Sequence, residues 1–82
     1  MTIDLLTPEE KFFSGEGSAI QLPGINGSFE VLNNHAPMIA ALSKGKVRIT
    51  TAEGARFINI EGGFVEVLKN KVVVLAEGAT AV

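Results

Sequence analysis

Residues 45–76 read GKVRITTAEGARFINIEGGFVEVLKNKVVVLA, and their periodicity decides the fold class. Val47, Ile49 and Thr51 alternate with Lys46, Arg48 and Thr50, the two-residue period of a strand with one apolar and one polar face. Ile58 and Ile60 likewise oppose Phe57, Asn59 and Glu61, and Val65 and Val67 bracket Glu66. The run Val72 to Leu75 is apolar on both faces, which suits a central strand or one covered by a partner. Glu53-Gly54 and Lys69-Asn70 place Gly or Asn where tight hairpins need positive φ. Gly62-Gly63 permits a sharp bend or a close backbone approach. This stretch is four strands joined by short turns.

The same rhythm extends towards the N-terminus. Turn signals recur at Thr7-Pro8-Glu9-Glu10, Ser14-Gly15, Pro23-Gly24, Asn26-Gly27, Asn33-Asn34 and Lys44-Gly45. Strands are expected at 2–7, 11–13, 16–22, 28–32, 38–42, 45–51, 55–61, 63–68 and 71–76. Ala36 to Leu42 has a second reading as one short helical turn, with Pro37 at its first position and Met38 and Leu42 four apart. No longer helix, internal repeat or low-complexity segment is evident. The expected architecture is all-β: a flattened β-sandwich of short, mostly antiparallel strands, forming a single domain over residues 1–82.

Composition narrows the function classes. The formal net charge is -2, and the seven Lys and Arg residues are dispersed. Nucleic-acid binders concentrate such residues on one face, so nucleic acid is not an expected partner. The chain has no cysteine, which removes disulfides and thiolate metal sites. The start, MTIDLL, lacks the basic and apolar regions of a signal peptide. No apolar run approaches the ~18–20 residues of a membrane-spanning helix. The expectation is a soluble chain that meets a membrane only through a partner.

Catalytic chemistry finds few candidates. His35 is the single histidine, so it cannot assemble a histidine metal site. As a general base it would need a nucleophile and an orienting carboxylate, for which Ser28 and Glu30 are the nearest in sequence. The plainer reading is a ring that closes the turn before Ala36-Pro37 by bonding to backbone. Glu61 and Glu66 read as solvent-facing strand positions separated by a bend. The stretch Leu22-Pro23-Gly24-Ile25-Asn26-Gly27 lacks the Lys-Ser/Thr of a phosphate loop and a following helix, and reads as two adjacent turns. No cofactor or metal is expected, and function by surface contact is the default.

Six ordered segments carry a resemblance. They are Phe13-Ser14-Gly15-Glu16; Leu22-Pro23-Gly24-x-x-Gly27-x-Phe29-x-Val31-Leu32; His35-Ala36-Pro37-Met38-Ile39-x-Ala41-Leu42; Gly45-x-Val47-Arg48-Ile49; Gly62-Gly63-Phe64-Val65-Glu66-Val67; and Asn70-x-Val72-x-Val74-Leu75-Ala76. In this order and spacing, over residues 3–77, the chain resembles the N-terminal domain of the epsilon subunits of rotary F-type ATP synthases. The resemblance implies a β-sandwich in the central stalk, binding the gamma subunit and the polar loops of the membrane c-ring. The domain turns with both, couples proton-driven rotation to ATP synthesis, and has no active site or cofactor of its own. It implies a peripheral position on the cytoplasmic face of the bacterial inner membrane.

By motif, His35, Pro37, Met38, Ala40 and Glu61 match gamma-facing positions of that family. Ser28, Glu30, Asn33 and Asn34 match the loop near the c-ring. There the sequence departs from relatives, which commonly carry an acid at the position of Ser28, Gly at that of Glu30 and Pro-Gly at that of Asn33-Asn34. Many relatives also continue into a C-terminal helical hairpin; here the sequence ends at Val82, and the untagged start favours a naturally short protein. Two other classes fit less of the sequence. A carrier domain would be modified at a hairpin-tip lysine such as Lys69, and a small esterase would use Ser28 or His35.

Overall fold

A computed structural model describes all 82 residues, Met1–Val82. It is built from strands and turns, with no helix. The strands are β1 (Thr2–Leu6), β2 (Lys11–Glu16), β3 (Ala19–Gly24), β4 (Gly27–Leu32), β5 (Met38–Leu42), β6 (Gly45–Thr51), β7 (Gly54–Ile60), β8 (Gly63–Leu68), β9 (Lys71–Ala76) and β10 (Ala79–Ala81). Hydrogen bonding orders them β10-β7-β6-β3-β5-β8-β9-β1-β2, with β4 beside β3. All pairings are antiparallel except β1 with β9.

Two layers arise because β3 changes partners along its length. Residues Ala19 to Gln21 pair with β6, whereas Gly24 pairs with Leu42 of β5. Pro23 stands at this switch. It has no N–H to offer β6, and its carbonyl instead accepts the Ser43 amide at 2.8 Å. The expected turn at Pro23-Gly24 is therefore corrected to the end of a strand, and the hairpin loop to Ile25-Asn26. The paired turns read over Leu22 to Gly27 reduce to that one.

From β6 to β9 alternation places the core where the periodicity predicts, and β1, β3 and β4 complete it. Ile3, Leu5, Ile20, Leu22, Val31, Val47, Ile49, Ile58, Ile60, Val65, Val67, Val72 and Val74 form one buried cluster between the layers. No polar or charged residue is buried. Phe12, Phe13, Phe29, Met38 and Ala40 pack on its margins.

Three further expectations are corrected. Ser14-Gly15 is no turn: it lies inside β2, opposite Asp4 and Ile3, and the Ser14 hydroxyl donates to Asp4 at 2.7 Å. This pairing lengthens the second strand and moves the third to Ala19–Gly24. The strand reading at 38–42 holds and only the second reading of Ala36 to Leu42 as a helical turn falls, because Met38–Leu42 pairs fully with β8. A tenth strand, Ala79–Ala81, was not expected; its residues carry no strand signal, and pairing with β7 alone extends it.

Candidate functional site

The two outer faces of the sandwich differ. On the β3-β6-β7 side the outward row Glu30, Gln21, Arg48 and Phe57 runs across β4, β3, β6 and β7. Beside it lie Lys46 and Asn59. The Arg48 guanidinium meets Glu30 at 3.5 Å, and the Lys46 ammonium lies 5.5 Å from the Phe57 ring centre. This is a solvated, charge-paired surface, where such contacts contribute little to stability.

The β5-β8-β9-β1 side carries an apolar row, with Asp4, Glu66 and Lys71 sharing its outward face. Register places Ala41, Phe64, Leu75 and Leu6 in one row across the four strands. Ile39 stands in the next row, opposite Glu66. Ile39, Phe64 and Leu75 are 74%, 57% and 54% exposed. Scattered exposed apolar residues are ordinary, but their alignment in adjacent strands on one sheet face makes this the candidate contact surface. The sequence holds one signal for it, the two-faced apolar run Val72–Leu75; the alternation around Glu66 marks Val65 and Val67 as the inward pair and gives no sign that Phe64 is exposed.

The residues expected to face gamma lie on or beside this surface. Pro37, Met38 and Ala40 belong to β5 and its approach. Met38 and Ala40 turn inward and pack on the core, while Ile39 between them points out. His35 precedes β5; its amide donates to Leu32 and its ring Nδ1 lies 2.7 Å from the Ala36 carbonyl oxygen, the expected turn-closing role. Glu61 sits beyond the other end of β5, exposed, 3.9 Å from the Lys44 ammonium.

The residues expected near the c-ring are not one loop. Ser28 and Glu30 lie on the outward face of β4, and Asn33-Asn34 turn at its far end. Ser28 and Leu32 are four residues apart, roughly 13 Å along a strand. The reading of 28–34 as a single tip is thus corrected to a strand plus a turn. The same separation keeps Ser28 away from His35, so the pair an esterase would need is not assembled. Lys69 is exposed at φ 51°, the first of two positive-φ residues in the β8–β9 turn.

No group of three or more His, Asp and Glu side chains converges in a metal-holding arrangement. The largest cleft, about 520 Å³, opens between the β3–β4 hairpin and β5 and is lined by Ile25, Phe29, Met38 and Ile39 among others. Its polar side chains are Asn26 and Ser28, and no acid or base lines it.

Comparison with known proteins agrees with this geometry. The model of the ATP synthase delta/epsilon chain β-sandwich domain matches residues 1–82. The ATP synthase epsilon chain of Chlorobaculum tepidum is 47% identical over 77 residues, covering 93% of this chain and 88% of the relative. That of Chlorobium limicola is 43% identical, covering 92% and 86%. The epsilon chain of Salinibacter ruber is 42% identical, but its match spans 58% of that longer relative. A chain of the Euglena gracilis mitochondrial ATP synthase superposes with a TM-score of 0.89 at 23% identity, over 96% of this chain and 51% of its own length. One from the Tetrahymena thermophila mitochondrial ATP synthase central stalk and c-ring gives 0.83 at 19%, over 98% and 65%. These two share the fold. Two-sided sandwich, family match and relatives together establish that the chain belongs to the ATP synthase delta/epsilon chain β-sandwich domain family.

Proposed function

We propose that this chain is a non-catalytic rotor subunit of the central stalk of an F-type ATP synthase, acting as one domain over residues 1–82. It binds gamma and the c-ring, turns with them, and passes proton-driven rotation to catalytic subunits elsewhere. One observation carries this reading: on the β5-β8-β9-β1 face register aligns Ala41, Phe64, Leu75 and Leu6 in one apolar row, of which Phe64 and Leu75 are exposed, with exposed Ile39 beside it. A torque-bearing contact needs a stiff, broad, desolvated patch, and a sheet face backed by a packed core supplies it.

Gamma takes the β5-β8-β9 face. Ile39, Phe64 and Leu75 make the contact; His35 and Pro37 border it at one end of β5 and Glu61 at the other; Met38 and Ala40 hold β5 against the core. The c-ring loops take the β4 side, through Ser28 and Glu30 on the strand and Asn33 and Asn34 at its end. The chain is peripheral, on the cytoplasmic face of the bacterial inner membrane, and meets lipid only through the complex. Family membership, relatives that are ATP synthase epsilon chains, and fold neighbours from assemblies of F1, central stalk and c-ring support this placement.

The experiment is purification of the ATP synthase from membranes of the source cell. This chain should co-purify with gamma and the c-ring, and its removal should uncouple proton flow from ATP synthesis. A complete, coupled enzyme that lacks the chain would refute the proposal.

A further inference from the structure

The turn between β4 and β5 is held from outside, by the N-terminal ammonium on Asn33 Oδ1 at 2.8 Å and by a side chain of the β8–β9 turn. Its amide-to-carbonyl bond runs from His35 to Leu32 at 3.2 Å, so Asn33 and Asn34 are its central residues. Asn34 has φ 64° and Asn33 has no positive φ. Positive φ at the second central residue alone is the mark of a type II turn. Types I and II differ by a flip of the peptide between the two central residues, which reverses where its N–H points. Here that N–H, on Asn34, donates to Asn70 Oδ1 at 2.8 Å. Asn70 lies in the β8–β9 turn, at φ 60°. Its own carbonyl accepts the Thr2 amide at 3.2 Å, so the residue is fixed to β1 as well.

We infer that Asn70 is a positioning residue for the rotor contact: its side-chain oxygen holds the Asn33-Asn34 peptide in the flipped orientation and so sets how His35 and Pro37, just beyond the turn, are presented to gamma. This rests on the rotor reading above. Without the Oδ1 acceptor, Asn34 loses the bond that favours its left-handed conformation, and the turn can relax to type I, which most residues prefer. The direction of the chain entering β5 then becomes variable, although the core is untouched.

The test uses the full chain with Asn70→Gly and Asn70→Asp. Glycine is the residue most at ease at this turn position, so Asn70→Gly keeps the β8–β9 hairpin and removes only the acceptor. Aspartate keeps an acceptor oxygen and tolerates the left-handed region. Amide exchange by NMR should show faster exchange at Asn34 in Asn70→Gly, with unchanged protection in β8 and β9. Affinity for purified gamma should fall about fivefold, the scale of one neutral hydrogen bond, and Asn70→Asp should restore it. Wild-type affinity in Asn70→Gly, or a loss that Asn70→Asp does not recover, would overturn the positioning role and leave the rotor reading standing. Failure of the wild-type chain to bind gamma would overturn both, whatever the exchange rates show.

Discussion

Gly62 and Gly63 are neighbours at positive φ, 122° and 146°, yet their constraints differ in kind. A Cβ on Gly62 would come 3.4 Å from the Leu42 carbonyl oxygen, so alanine there meets mainly backbone strain. A Cβ on Gly63 would overlap the Leu75 carbonyl oxygen and approach Ala76 Cα at 2.9 Å, both rigid backbone. Gly62→Ala is expected to cost about 1–2 kcal/mol. Gly63→Ala should cost more than about 3 kcal/mol, within the range where a single change unfolds a small domain. Urea melts of the two variants check the order; equal midpoints would contradict it. The Gly-Gly pair was legible as a bend or close approach, but sequence spacing could not say which glycine the opposite strand presses on.

Strands β6 to β9 were legible to within a residue because alternation and positive-φ turn residues agree there: Gly54, Lys69 and Asn70 all adopt the conformation their turns demand. Strand β3 was misread because Pro23-Gly24 is a strong local turn signal, overridden by pairing to β4 and β5. Strand β10 was invisible for the converse reason, lacking any local signal. The double face of β9 leads to a test at this scale. Leu5, fully buried on β1, should cost about 2–5 kcal/mol on Leu5→Ala. Leu75→Ser, on the outer face of β9, should change stability by no more than about 0.5–1 kcal/mol while weakening gamma binding. Thermal melts and titration with gamma separate the two effects. If Leu75→Ser destabilises as much as Leu5→Ala, the outer face is part of the core and not a docking surface.

At the scale of the whole molecule, the sandwich presents one side of paired charges and one that carries the exposed apolar residues Ile39, Phe64 and Leu75. Motif matching names Met38 and Ala40, which pack on the core, whereas Ile39, Phe64 and Leu75 point out, because facing is settled by register across strands. The sided architecture is tested most directly in the assembled complex, with a photo-reactive residue at Phe64 on the apolar face and, separately, at Asn59 on the polar face. On irradiation of membranes containing the intact ATP synthase, Phe64 should cross-link to gamma in high yield and Asn59 should not. A gamma adduct from Asn59 with none from Phe64 would show that the apolar face is not where the chain meets its partner.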